Sequence, residues 1–214
     1  MRTTNPALST FLGLYAILFI LGLYDVWTFD KGDWVIWSDQ MHQPWLDHFF
    51  RYLTYLGDGV CLAILCLLFC LFRYKYAIIL TVIGLLQLTL SYLLKKVVFG
   101  RTLRPAAFLE GQYDFHFVEG VRIHHHYSFP SGHTMTAFGL FFFIALVNQK
   151  RSIAVACFII ATLAAYSRIY LAQHFLVDTV AGSLVGICLT GLIYWLAYVW
   201  QPFWKNQALN RPMA

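Results

Sequence analysis

Residues 167–200 read SRIYLAQHFLVDTVAGSLVGICLTGLIYWLAYVW. From Phe175 to Trp200 only Asp178 is charged, and a membrane-spanning helix needs roughly 20 predominantly apolar residues. The stretch therefore reads as a spanning helix whose entrance carries a polar cluster. Working outward, further apolar runs fall at about 7–28, 55–72, 76–94, 131–148 and 152–168. The chain is 60% hydrophobic and 12% charged, against about 25% charged in an average soluble domain. Together these features predict an all-α, polytopic membrane bundle of six transmembrane helices, a single domain over residues 1–214 with its chemistry-bearing motifs in 95–178. The run at 7–28 has no small-residue cleavage pattern close behind it, so it is expected to be a first transmembrane helix rather than a removed signal.

The connections are uneven. Arg73-Tyr74-Lys75 and Gln149-Lys150-Arg151 make tight basic turns, whereas residues 29–54 and 95–130 are long. The first long connection mixes Trp34, Trp37, Met41, Trp45, Phe49 and Phe50 with Asp33, Asp39, His42, Asp47 and Arg51. That pattern predicts an amphipathic helix lying in the interface between the first two spans, with tryptophans at headgroup depth. With six spans, both termini and the tight turns share one side. That side holds Arg2, Arg73, Lys75, Lys150, Arg151, Lys205 and Arg211 and no acid, while all ten acidic residues fall near the other. The positive-inside rule then puts the termini in the cytoplasm and the long loops outside, as for a protein of the bacterial inner membrane. The net charge of +5 is scattered, with no basic tail or aromatic-interleaved strand, which argues against a nucleic-acid partner. The cysteines, Cys61, Cys66, Cys70, Cys157 and Cys188, lie inside apolar runs without zinc-finger or CxxC spacing and read as small hydrophobes.

Two polar clusters interrupt the apolar second half. In the later one, His174 and Asp178 are spaced to share a helix face one turn apart. A carboxylate beside an imidazole fixes its tautomer and stabilises positive charge on the ring, leaving the opposite nitrogen free to attack phosphorus. Arg168, just upstream, offers a guanidinium for phosphate oxygens, although arginines at helix ends also snorkel to the interface. Ser167 could donate a hydroxyl or merely finish its helix. The earlier cluster, Pro130-Ser131-Gly132-His133, precedes an apolar helix: Ser131 can cap it, Gly132 lets an anion approach free N–H groups, and His133 is positioned as a general acid. Upstream, Lys95-Lys96 closes the third run and Arg101, Arg104 and Pro105 follow, cations that would offset phosphate charge. Lys95 also fits the simpler description of a residue flanking a span.

These residues resemble the type 2 phosphatidic acid phosphatase (PAP2) family, whose pocket is shared with vanadium haloperoxidases. Pro130–His133 and the Ser167, Arg168, His174, Asp178 set match the family's second and third motifs. The first motif, a lysine separated by six residues from Arg-Pro, departs: seven residues separate Lys96 from Arg104. Leu56-Gly57-Asp58-Gly59 is also similar to the family's second-helix entry, and the resemblance covers about residues 45–190. It implies a metal-independent lipid phosphatase without cofactor. His174 would form a phosphohistidine, Asp178 would hold it, and His133 would protonate the leaving group. Lys96, Arg104, Ser131, Gly132 and Arg168 would bind the phosphoryl oxygens, with Arg101 as a substitute arginine.

The implied partner is a phosphorylated lipid in the membrane: undecaprenyl pyrophosphate, phosphatidylglycerol phosphate, phosphatidic acid or lipid A. A phosphotransferase passing the phosphoryl group to another lipid would use the same first half-reaction. A histidine-rich haem or metal protein is a third reading, disfavoured because the histidines cluster at one surface. The run His124-His125-His126, with His116 nearby, does not place ligands around one ion, since consecutive side chains rarely converge and no carboxylate sits at ligand spacing. It is expected to form a polar loop over the site, with no metal.

Overall fold

The computed structural model describes residues 5–199. Trp200, and the Arg2, Lys205 and Arg211 used above for orientation, lie outside the described residues. The expected all-helical architecture holds. The helices are α1 (Pro6–Thr28), α2 (Asp33–Asp39), α3 (Pro44–Leu53), α4 (Gly59–Phe72), α5 (Tyr74–Leu93), α6 (Pro105–Phe108), α7 (Gly132–Asn148), α8 (Arg151–Tyr170) and α9 (Leu176–Val199). One isolated antiparallel bridge, Leu103 to His126, is the sole β contact among the described residues.

Local chemistry sets the helix starts. Asn5 Oδ1 accepts from the N–H groups of Ala7 and Leu8 at 3.0 and 3.3 Å, with Pro6 next in line. Asp58 accepts from Val60 N–H at 3.3 Å and so opens α4. Residues 54–57 before it form a 3₁₀ turn, so the helix begins later than the apolar run at 55 suggested. The long connection at 29–54 holds two short helices, α2 and α3, rather than one, because Pro44 cannot donate an N–H and restarts the chain at the first position of α3.

Among the described residues, four helices are long and apolar enough to cross a membrane, or five if α3 with the turn after it and α4, bent by 58°, count as one span. At 14 residues α4 spans about 21 Å and at 17 residues α7 about 25 Å, short of the roughly 30 Å hydrocarbon layer. These two helices separate the observed lengths from the six expected spans.

The short α7 is the central post, packed by α9, α8, α5 and α1. Phe11 of α1 meets Phe142 of α7 with ring centroids 5.0 Å apart, and Tyr15 meets Phe138 at 5.6 Å. On the other flank, small residues let backbones touch. A Cβ on Gly182 of α9 would lie 2.5 Å from the Ser131 carbonyl oxygen, and one on Gly186 would overlap the Met135 carbonyl. Ser131 N–H in turn donates to the Asp178 carbonyl at 3.0 Å. The starts of α7 and α9, which carry the two polar clusters, are thereby locked side by side at one end of the bundle. The short helices α2 and α3 cover that same end, packing Val35 and Phe50 against the end of α8. Trp45, Phe49 and Tyr52 of α3 point outward, 64%, 44% and 62% exposed.

Candidate active site

The loop from Leu171 to Phe175 doubles back because the Arg168 carbonyl accepts from both Gln173 N–H at 2.9 Å and His174 N–H at 3.0 Å. His174, 1% exposed, therefore sits directly over the end of α8. Its Nδ1 lies 3.3 Å from Asp178 Oδ2. The same oxygen accepts from Phe175 N–H at 3.0 Å and from Ser128 Oγ at 2.5 Å. Asp178 is thus aimed by two donors before it meets the imidazole, which leaves Nε2 as the nitrogen available for chemistry. Burial, with Arg104, Lys95, Arg168 and His133 around it, holds His174 well below the ordinary imidazole value and keeps the ring neutral, as a nucleophile requires.

Around this pair the cations converge. Arg104, 8% exposed, is clamped by carbonyls: Nε donates to His126 O and Nη1 to Gln173 O, both at 2.9 Å. Its backbone N–H donates to His125 O at 2.9 Å. Desolvation brings its pKa down to about 10, so it stays charged at neutral pH. Arg168 donates from Nη1 to Thr54 Oγ1 at 2.6 Å, while its buried Nε has no hydrogen-bond partner. An unmet charged donor of this kind is costly unless an anion answers it.

The lysine position differs from expectation. Leu94–Val98 forms a π turn, closed by Phe99 N–H to Leu94 O at 2.8 Å. Widening the turn by one residue rotates the side chains that follow. Lys95 thereby lines the site, with its Nζ 4.0 Å from where a Cβ on Gly132 would stand. Lys96 turns away to lie over the Tyr127 ring, 3.2 Å from its centroid. Of the two lysines, Lys95 rather than Lys96 stands at the cavity. Arg101 is exposed and stands off the cavity lining, whereas Arg104 is part of it.

Ser131 also differs in part. Fully buried, its Oγ accepts from Thr134 N–H at 3.4 Å and Thr134 Oγ1 at 2.9 Å, and its N–H is taken by Asp178. It shapes the site as the α7 cap without lining it, whereas Gly132 and His133 do line it. Their N–H groups open the helix and have no partner within it. Ser167 finishes its helix, donating to Ala164 O at 2.6 Å. Thr54, Ser128 and Gln173 complete the site, and nothing in their local sequence marks them. The triple histidine contributes mainly backbone: His125 and His126 carbonyls hold Arg104, while the His124 side chain lines the cavity. His116 lies elsewhere, against Asp47.

These groups occupy the polar head of a cavity of about 760 Å³. From Arg104, His133, Arg168 and His174 it runs between α4 and α5 past Leu62, Gly84 and Leu88 to Cys66, Cys70 and Thr81. A charged head continuous with an apolar trough fits an amphiphile carrying an anionic group.

The chain is similar to known proteins. The family model of the PAP2 superfamily matches residues 74–202. A lipid A 4'-phosphatase of Bacteroides thetaiotaomicron is 28% identical over 172 residues, covering 77% of this chain and 75% of its own. The crystal structure of Aquifex aeolicus LpxE superposes with a TM-score of 0.68 at 30% identity, covering 79% of this chain and 98% of that one. A transmembrane PAP2-type phosphatidylglycerolphosphate phosphatase from Bacillus subtilis shares the fold, with TM-score 0.65, 24% identity, and coverage of 89% of this chain and 97% of that one.

Proposed function

Because this chain belongs to the PAP2 superfamily, we propose that it is an integral-membrane lipid phosphatase that works through a phosphohistidine on His174. The observation that carries this reading is the buried His174–Asp178 pair set among Lys95, Arg104 and Arg168 at the head of an apolar trough. In the first step, His174 Nε2 forms a bond to phosphorus as the bond to the lipid oxygen breaks. His133 gives its proton to that departing oxygen. Asp178 accepts from Nδ1–H and stabilises the positive ring. The oxygens of the transferring group lie among the two guanidiniums, the Lys95 ammonium and the N–H groups that open α7, which supply charge where it develops. Water then attacks the phosphohistidine, with His133 taking its proton, and inorganic phosphate leaves. The chain's own cations provide the electrostatics of both steps.

Among lipid phosphates, the phosphorylated sugar headgroup of a lipid A-type molecule is the favoured substrate, supported by the lipid A 4'-phosphatase relative. The acid-free basic turns Arg73-Tyr74-Lys75 and Gln149-Lys150-Arg151 at the opposite end support cytoplasmic termini in a bundle of six crossings, the short α4 and α7 completed by their adjoining turns. They also support α2 and α3 lying in the outer interface and the site facing outward.

Purified protein in detergent, given a panel of lipid A, phosphatidylglycerol phosphate, phosphatidic acid and undecaprenyl pyrophosphate, is expected to release free phosphate fastest from lipid A. Orthovanadate, a mimic of the five-coordinate phosphoryl group, is expected to inhibit. Full activity in His174→Ala would overturn the assignment. Phosphoryl transfer to a second lipid without free phosphate would make the protein a transferase instead.

A further inference from the structure

A second cluster of chemistry-bearing side chains lies at the end of the bundle where α2, α3, the end of α8 and the loop after α6 meet. His42 follows α2, Asp47 sits in the first turn of α3, and His116 comes from the loop between α6 and α7. One ligand atom from each lies within 4.8 Å of the others. His42 Nδ1 is 2.6 Å from Asp47 Oδ1, and His116 Nε2 is 3.2 Å from Asp47 Oδ2. Bonds of about 2.0–2.1 Å around a tetrahedral ion put neighbouring ligand atoms about 3.3–3.5 Å apart, a spacing these side chains reach by rotating slightly.

The far side of His42 points to the same conclusion. Its side chain is 7% exposed, yet Nε2 has no hydrogen-bond partner and faces Asp39 Oδ1 at 3.5 Å. If Nδ1 gives its only proton to Asp47, the Nε2 lone pair confronts a carboxylate in a buried place. With an ion on Nδ1 the remaining proton sits on Nε2 and points at Asp39, the carboxylate–histidine–metal arrangement that orients ligating imidazoles. Tyr170 Oη donates to Asp47 Oδ1 at 2.6 Å and steadies that carboxylate in the same way.

We propose that His42, Asp47 and His116 bind one zinc-class divalent ion, with Asp39 and Tyr170 as its outer shell and water in the fourth position. Two imidazoles and a carboxylate are a borderline donor set that suits Zn²⁺ over Mg²⁺ or Ca²⁺. The ion takes the place of the proton between His42 Nδ1 and Asp47, and the ring's one proton passes to Nε2. The expectation of no metal rested on the triple histidine and on the family resemblance, whereas here the fold brings the remote His116 to His42 and Asp47. An ion here would pin α3 to the loop that continues into His124 and Ser128, away from the reacting atoms. The site stands independently of the phosphatase reading.

Full-length protein purified without a polyhistidine tag, stripped with chelator and titrated with ZnCl₂ by calorimetry tests this. About one equivalent is expected to bind with micromolar or tighter affinity and to raise Tm, and Co²⁺ is expected to give tetrahedral d–d absorption. Asp39→Asn should weaken binding by about 10- to 100-fold. His116→Ala should weaken it further while keeping its metal-free Tm, since that side chain is 57% exposed. A paired His124→Ala/His125→Ala variant should bind as the wild type does. Absence of saturable binding, or binding untouched by His116→Ala and lost in the paired variant, would overturn the proposal.

Discussion

Arg168 donates from Nη1 to Thr54 Oγ1 across 2.6 Å, joining the end of α8 to the turn before α4 directly beneath the site. That bond fixes the plane of a guanidinium whose Nε has no other partner. A hydrogen bond to a charged group contributes about 1.5–3 kcal/mol. Thr54→Val, which keeps the shape and removes the hydroxyl, is therefore expected to lower kcat/KM by about 10- to 100-fold. Thr54→Ser should restore most of it. Steady-state kinetics on detergent-solubilised protein checks both, and an unchanged Thr54→Val would remove Arg168 from phosphate binding.

The two adjacent lysines make a paired test. Lys95 faces the cavity head and Lys96 stacks on Tyr127, so Lys95→Ala is expected to cost about 10-fold or more in kcat/KM, as loss of one transition-state cation does. Lys96→Ala should stay within about twofold, the scale of a surface change. The reverse pattern in the same phosphate-release assay would return the role to Lys96.

What could be read from sequence divides along the same line. His174 and Asp178 were legible because their spacing is local. The expected shared helix face is replaced by a loop residue two positions before α9 and a carboxylate in its first turn, but four residues still bring the two together. The cap at Ser131 and the four longest apolar runs were legible for the same reason. Lys95 was not, because a π turn shifts the helical phase by an amount that no apolar periodicity encodes. Thr54, Ser128 and Gln173 reach the site from remote segments, and single serine, threonine and glutamine residues carry no pattern. Likewise His116 reaches His42 and Asp47 from 69 residues beyond Asp47, a meeting that no local spacing marks.

The pH profile follows from the neutral His174. Its folded-state value lies well below 6.5, depressed by burial and the surrounding cations, so the ring remains unprotonated as pH falls through 6.5 and gains a proton only at lower pH. The acid limb of kcat/KM, which reports the free enzyme, is thus expected below pH 6.5 rather than at it. Asp178→Asn removes the carboxylate that fixes Nδ1–H and is expected to cost at least about 100-fold in kcat. A profile that already halves at pH 6.5 in the wild type would contradict a neutral His174.

Close backbone contact between α7 and α9 supports the last expectation. A Cβ on Gly182 would stand 2.5 Å from the Ser131 carbonyl oxygen, which is main chain and cannot swing aside as a flexible side chain could. Gly182→Ala must therefore push α9 off the start of α7, stretching the 3.0 Å bond from Ser131 N–H to the Asp178 carbonyl and moving the His174–Asp178 pair relative to Gly132 and His133. Overpacking of this kind costs about 1–3 kcal/mol, and a displacement of the reacting groups by about 1 Å can cost on the order of 100-fold in rate. Gly191→Ala in the same helix is the control: its Cβ would meet Phe142 Cε1 at 3.6 Å, an ordinary contact. Thermal unfolding in detergent and phosphate release are expected to fall together for Gly182→Ala and to stay near wild type for Gly191→Ala. Equal behaviour of the two variants would mean that the α7–α9 contact does not hold the site.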